Sequence, residues 1–140
     1  MIDIDNIHKI CRKYYIMNYT INLDGSVDIN GDVLLCDMYL KEIPLKFNKV
    51  SGHFDCSDNE LTSLKNCPIE VGEYFNCNNN KLTSLENAPT KSLTFDCFGN
   101  PLKSLYGFKQ NYNILYCNNK RKLIKKHKRK IKIENLLNKL

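Results

Sequence analysis

The sequence has no apolar run close to the roughly 18 residues that a membrane span needs. It also lacks a secretory signal, because its first residues, Met1-Ile2-Asp3-Ile4-Asp5, carry acids and no basic segment before an apolar run. We therefore expect a soluble protein of the cytoplasm. Hydrophobic residues make up 42% of the 140 positions, enough apolar material for one folded domain or a short repeat array.

Metal and catalytic motifs are missing as well. The seven cysteines include no C-x-x-C pair, and His8, His53 and His127 are scattered, so the paired spacing of a zinc site is absent. No G-x-S-x-G, P-loop, GxGxxG or H-E-x-x-H motif occurs. His53 beside Asp55 is the sole acid–base pair worth naming, and no nucleophile accompanies it. The sequence thus predicts a non-enzymatic protein without a metal or cofactor.

Four of the cysteines follow a fixed period. Cys56, Cys77, Cys97 and Cys117 are 21, 20 and 20 residues apart. The first three lie in the same phrase, F-x-C-x-x-N-x-L-x-S-L, over residues 54–64, 75–85 and 95–105. A fixed period of this length indicates one structural unit copied along an axis. Degraded copies flank the three phrases, so we predict about five coils with strands starting near residues 33, 54, 75, 95 and 115.

The phrase resembles the leucine-rich repeat, L-x-L-x-x-N-x-L-x-x-L, with Phe and Cys in two leucine positions. The short period, the N-x-L-T-S-L wording and the prolines that follow, Pro68 and Pro89, are most similar to the short bacterial subtype of secreted effectors. The F-x-C variant is similar to repeats in proteins of large bacteriophages and other large DNA viruses. The resemblance implies an α/β leucine-rich-repeat solenoid that is mostly β, located in the host cytoplasm if the protein is viral.

The chain departs from this family in two respects. Val50 and Val71 lie one residue before the position where the usual repeat has a leucine, so we expect the turn into each strand to differ from the common form. Effectors with this repeat often carry a ubiquitin-ligase domain with a catalytic cysteine. Only about twenty residues follow the last predicted coil here and none is Cys, so that activity is not implied.

The repeat positions have distinct physical roles. Alternate side chains of a strand face opposite ways, so Phe and Cys at i and i+2 point inward together. A column of cysteines could be a redox or metal array, but in-register parallel strands aim thiols the same way, which favours packing. The Asn of each phrase stands where the strand bends and can bond turn backbone of its own and the adjacent coil. The predicted structural ladder comprises Cys56, Cys77, Cys97, Cys117, Asn59, Asn80 and Asn100.

Residues 1–32 do not repeat and are predicted to cap the open end of a solenoid at 33–119. Asp3 can cap a helix whose apolar residues recur at helical spacing, namely Ile7, Ile10, Cys11 and Tyr14. The alternation around the turn Asp24-Gly25 then predicts a β-hairpin.

Outward strand positions should form three columns on the exposed sheet face. The first is Asp32, His53, Tyr74, Thr94 and Ile114, the second Leu34, Asp55, Asn76, Asp96 and Tyr116, and the third Cys36, Ser57, Asn78, Phe98 and Asn118. Aromatic side chains beside acids are typical of a protein-binding surface, although exposed aromatics also occur without function. The leading hypothesis is that a protein partner binds His53, Asp55, Tyr74, Asn76, Asp96, Phe98 and Tyr116.

The tail, residues 120–140, holds ten basic residues and one acid, giving +9 and leaving −3 for residues 1–119. Three interpretations compete: it binds RNA or DNA, it lies on an anionic membrane or acidic partner, or it is a helical cap. As a cap it would dock Ile133, Leu136, Leu137 and Leu140 on the last coil. The cap with weak, incidental phosphate affinity is preferred, because the tail has no aromatic to stack bases. The alternative function is nucleic-acid binding by Lys122, Lys125, Lys126, Lys128, Arg129 and Lys130.

Overall fold

A computed structural model describes residues 2–105, 112–118 and 120–138, excluding the side chains of 112–114, 120 and 127. Leu140, predicted to dock on the last coil, lies outside the described residues. The described chain forms two helices and nine strands. In chain order these are α1 (Ile4–Lys13), β1 (Tyr19–Ile21), β2 (Val27–Ile29), β3 (Val33–Leu34), β4 (Phe47–Val50), β5 (Phe54–Asp55), β6 (Glu70–Val71), β7 (Tyr74–Asn76), β8 (Ser92–Asp96), β9 (Tyr112–Tyr116) and α2 (Lys120–Leu137).

The strands stack as a β-solenoid with two sheets. The first sheet has five parallel strands in the order β3-β5-β7-β8-β9. Its register pairs Phe54 with Phe75, Phe75 with Phe95, and Phe95 with Leu115. The predicted mostly-β solenoid is therefore confirmed, with equivalent repeat positions side by side.

A second sheet, β1-β2-β4-β6, was not predicted. Its parallel pairs, β2 with β4 and β4 with β6, join the segments that precede the strands of the first sheet. Val50 and Val71 pair in this sheet and are buried. This pairing explains why the two valines lie one residue before the leucine position of the usual repeat. The chain then turns sharply into the first sheet: a Cβ on Gly72 would lie 2.0 Å from the carbonyl oxygen of Ser51.

Aromatic rings stack through the core along the solenoid axis. The ring centroids of Phe54 and Phe75 are 5.7 Å apart, and those of Phe75 and Phe95 are 4.9 Å apart. Phe47 of the second sheet packs edge-on against Phe54 at 5.2 Å. Inward side chains from both sheets thus join one buried cluster, completed by leucines of the return segments, namely Leu61, Leu64, Leu82, Leu85 and Leu105.

Three buried asparagines, Asn59, Asn80 and Asn100, form a hydrogen-bonded ladder between coils. The Asn80 amide nitrogen lies 3.0 Å from the Cys56 carbonyl oxygen of the preceding coil and 3.2 Å from the Cys77 carbonyl oxygen of its own. Its Oδ1 accepts the backbone N–H of Leu61 at 2.9 Å. The other two asparagines make the same kinds of bond, so each side chain ties two coils together at the bend.

The amino-terminal helix and hairpin are confirmed. The Asp3 side chain caps α1 by accepting the N–H of Asn6 at 2.9 Å, while Ile7 and Cys11 are buried. Strands β1 and β2 pair antiparallel, and β2 continues in parallel with β4. The hairpin therefore begins the second sheet and does not merely cover it.

Within the described ranges, the carboxyl-terminal helix α2 contacts the body through its first turns. Leu123 is buried and Ile124 packs against the core. The predicted docking of Ile133, Leu136 and Leu137 is wrong, because these side chains are 57%, 56% and 62% exposed. Among the described residues, neither helix has the length and apolarity to cross a membrane.

Replacing Asn80 with Ala tests the ladder. The substitution leaves buried backbone groups of two coils without partners, so we expect the free energy of unfolding to fall by about 1 to 3 kcal/mol. Chemical denaturation provides the measurement, and Thr83→Ala, an exposed position a few residues along the same coil, is the control. Equal stability of the Asn80→Ala variant and the wild type would contradict a stabilising role.

Candidate functional site: the outer sheet face and the basic helix

The sheet register brings the predicted outward residues into columns. Tyr74 pairs with Thr94, Thr94 with Ile114, and Asp96 with Tyr116. The columns differ in how much of each side chain reaches solvent. Some of the predicted partner-binding residues form hydrogen bonds with other side chains on this face. Others keep a side chain that is exposed to solvent.

Asn76 is withdrawn from the surface. It is only 7% exposed, and its amide nitrogen lies 3.3 Å from Asp55 Oδ2 on the neighbouring strand. The other Asp55 oxygen accepts the backbone N–H of Ser57 at 2.9 Å and its hydroxyl at 2.6 Å. Ser57, another predicted outward residue, is buried as well. Asp55, Asn76 and Ser57 therefore form an internally hydrogen-bonded cluster at the centre of the face.

His53 has a different partner from the one the sequence suggested. Its Nε2 lies 3.0 Å from Glu73 Oε2 in the next coil, while Asp55 bonds Ser57 and Asn76. The His53 ring also contacts Tyr74 edge-on, with centroids 6.4 Å apart. This arrangement is an exposed imidazole–carboxylate contact beside an aromatic ring. Glu73 was missed because it stands at the corner before β7, where strand alternation does not predict orientation.

Tyr74 and Asp96 form a second internal contact. The Tyr74 hydroxyl donates to Asp96 Oδ2 at 3.1 Å, and the other Asp96 oxygen accepts the N–H of Phe98 at 2.9 Å. Burial raises the pKa of the Tyr74 hydroxyl, and the Asp96 carboxylate raises it further. Tyr74 is therefore a neutral, half-buried donor that holds Asp96 in place.

Phe98 and Tyr116 are the most exposed of the seven predicted partner-binding residues. They are 56% and 51% exposed and lie on adjacent coils, because Tyr116 pairs with Asp96, two residues before Phe98. We call these two residues the aromatic patch. Asp96 lies beside it, and the exposed carboxylate of Asp58 lies two coils before Phe98, where it accepts a hydrogen bond from the Asn79 amide.

Three cysteines of the predicted column are buried free thiols, whereas Cys117 at its end is partly exposed. Cys56, Cys77 and Cys97 are inaccessible, and each Sγ donates to a carbonyl oxygen of the next coil at 3.2 to 3.4 Å. Burial raises the pKa of the Cys77 and Cys97 thiols, and neighbouring thiols and carboxylates raise it further. Across the described ranges, no group of three or more His, Cys, Asp and Glu side chains could hold a metal ion.

The basic residues of α2 are exposed along most of its length. Of the predicted phosphate-binding set, Lys122, Lys125, Lys128 and Arg129 are exposed, while Lys126 donates to the Lys103 carbonyl oxygen and Lys130 pairs with Glu134. A shallow groove along the helix is lined by Arg121, Ile124, Lys125, Lys128, Arg129 and Lys132. Arg121 and Lys132 were missed in the sequence, although helical spacing places them on the face of Lys125 and Lys128.

Comparison with family models, curated proteins and solved structures finds no match to this chain. Membership of the leucine-rich-repeat family therefore stays a prediction based on the repeat phrase.

Thiol labelling tests the packing role of the cysteines. Because the thiolate is the nucleophile, buried thiols with raised pKa should resist alkylation at pH 8, whereas exposed Cys36 should react first. Mass spectrometry of folded protein treated with iodoacetamide gives the order of labelling. Modification of Cys77 or Cys97 at the rate of Cys36, while the fold persists, would be incompatible with a buried column.

Proposed function

We propose that the protein is a non-enzymatic binding module that contacts a protein partner through the aromatic patch, Phe98 and Tyr116. The observation that carries this proposal is the exposure of two aromatic side chains on adjacent coils of one sheet. Phe and Tyr offer large contact areas and lose little conformational entropy when fixed, which is why aromatics are enriched at the energetic centres of interfaces.

Rigid surroundings support the patch. The N–H of Phe98 is fixed to Asp96, and Asp96 is fixed by Tyr74. Gly99, which follows Phe98, has a φ of +71° and donates its N–H to Asn118 Oδ1 at 2.7 Å. Ordering loops and side chains on binding costs free energy and reduces affinity. Because the backbone around the aromatic patch is already fixed, a partner would bind it with little such cost.

Charge narrows the chemistry of the partner. Asp55, Asp58 and Asp96 lie on or beside the outer face, and the chain up to residue 119 carries a formal charge of −3. Complementary charge speeds association and excludes like-charged surfaces. The favoured partner is a surface with an apolar side chain for the aromatic patch and Lys or Arg for the acids. The cytoplasmic location and the phage or viral origin stay predictions.

Peptide selection tests this proposal directly. A random peptide library is selected on the full-length protein, and the peptides obtained are measured by calorimetry. We expect sequences that combine apolar and basic residues, with affinity reduced at least tenfold by Phe98→Ala/Tyr116→Ala, since hot-spot truncations typically cost about 2 kcal/mol or more.

The control is Leu23→Ala/Ile69→Ala, which removes two exposed apolar side chains outside the first sheet and should leave affinity unchanged. Selected peptides that bind both double variants alike, or that are predominantly acidic, would reject the aromatic patch as the binding site.

A further inference from the structure

Six basic side chains of α2 share one side of the helix, which we call the basic face: Arg121, Lys122, Lys125, Lys128, Arg129 and Lys132. At about 100° per residue they fall within an arc of roughly 120°, and from first to last they span about 16 Å. All six are exposed. The single acid of the helix, Glu134, lies outside this arc and pairs with Lys130 at 3.8 Å.

The charge of the basic face is not neutralised within the described residues. The ion pairs found there are Lys46–Asp24, Lys49–Glu70, Lys81–Glu60 and Lys130–Glu134, and His53 contacts Glu73. None involves the basic face. Six close cations repel one another, and when they neutralise the charges of a polyanion they release the counterions condensed on it, which favours binding. The side chains are thus arranged for a ligand with closely spaced negative charges.

We propose that the basic face binds the phosphate backbone of double-stranded nucleic acid without reading its sequence. Duplex DNA carries one negative charge per about 1.7 Å of its axis. A helix face as long as the basic face can therefore contact several phosphates at once. The described helix and the remaining tail contain no Phe, Tyr or Trp on which unpaired bases could stack. A duplex, which offers phosphates and keeps its bases stacked, therefore fits better than a single strand.

The positions of the apolar residues argue against a membrane surface as the ligand. A helix that lies in a lipid interface needs one continuous apolar side opposite its polar side. In α2, Ile124 and Ile131 lie on one side, whereas Ile133 and Leu137 lie about 180° to 240° further around the helix axis. If one of these two apolar pairs entered the lipid, the other pair would remain in water.

The body of the protein directs a polyanion to α2. The outer sheet face bears Asp55, Asp58 and Asp96 and would repel phosphates, so nucleic acid and the partner of the aromatic patch would use separate surfaces. The two proposals can therefore fail independently. Phe98→Ala/Tyr116→Ala should leave binding to nucleic acid unchanged.

Fluorescence anisotropy with the full-length protein tests the proposal. The probes are two duplex DNAs of unrelated sequence, about 20 base pairs each, one single strand of the same length, and vesicles containing phosphatidylserine. We expect both duplexes to bind within twofold of each other and more tightly than the strand or the vesicles. Engagement of about five phosphates would make log K fall with log[NaCl] with a slope of about −4 to −5.

Two matched triple variants locate the site. Lys125→Gln/Lys128→Gln/Arg129→Gln removes three charges from the basic face, and Lys41→Gln/Lys65→Gln/Lys91→Gln removes three from exposed positions of the body. The first should weaken duplex binding at least tenfold and reduce the salt slope by about 3, because each phosphate contact contributes about 1. The second should change affinity less than twofold. Gln favours helix nearly as well as Lys, and circular dichroism checks that α2 is retained.

A charge-preserving variant, Lys125→Arg/Lys128→Arg/Arg129→Lys, should bind like the wild type. Equal losses in the two Gln variants, loss of binding in the charge-preserving variant, or tighter binding to vesicles or to the single strand would each overturn the proposal.

Discussion

The bonds made by Asn59, Asn80 and Asn100 are the interaction on which the rest of the structure depends. Each amide contacts carbonyl oxygens of its own coil and of the coil before it, and each Oδ1 accepts an N–H of that preceding coil. A solenoid coil cannot pair these groups by itself, because the backbone leaves the sheet at the bend. The asparagines therefore continue the bonding between coils past the point where the backbone ladder of the strands ends. The ladder and the asparagines together hold the coils in register, so that rings such as Phe75 and Phe95 stack.

The sequence predicted the features that repeat and missed those that depend on neighbours. A period of 20 to 21 residues identified the inward Phe and Cys positions, since strand alternation and stacking leave them no alternative. It did not reveal the second sheet, because β4 and β6 are short and lack a shared phrase. Alternation also placed Asn76 outward but could not show that adjacent strands bury it. In the tail, composition gave the charge, whereas the exposure of Ile133, Leu136 and Leu137 depends on where α2 leaves the body.

Charge separates the protein into two parts with different proposed ligands. The coils carry acids on the outer face, most of them held by side-chain or backbone donors, and leave the aromatic patch free. The helix α2 carries six of its cations along one side, and its single acid, Glu134, lies outside that arc. A basic partner would be attracted to the sheet and a polyanion to the helix, so each surface discourages the ligand of the other. The overall charge of +6 describes neither surface.

Native-state hydrogen exchange tests most directly the claim that the asparagine ladder holds the coils together. The informative amides are those of Leu61 and Leu82, whose acceptors are Asn80 Oδ1 and Asn100 Oδ1 at 2.9 and 3.0 Å. The amide of Ser26, bonded at 3.0 Å to Asp24 in the hairpin turn, is the comparison. We predict that Leu61 and Leu82 exchange only through global unfolding, with the same dependence on denaturant as the whole protein. Exchange of Leu61 and Leu82 as fast as that of Ser26 would contradict the account.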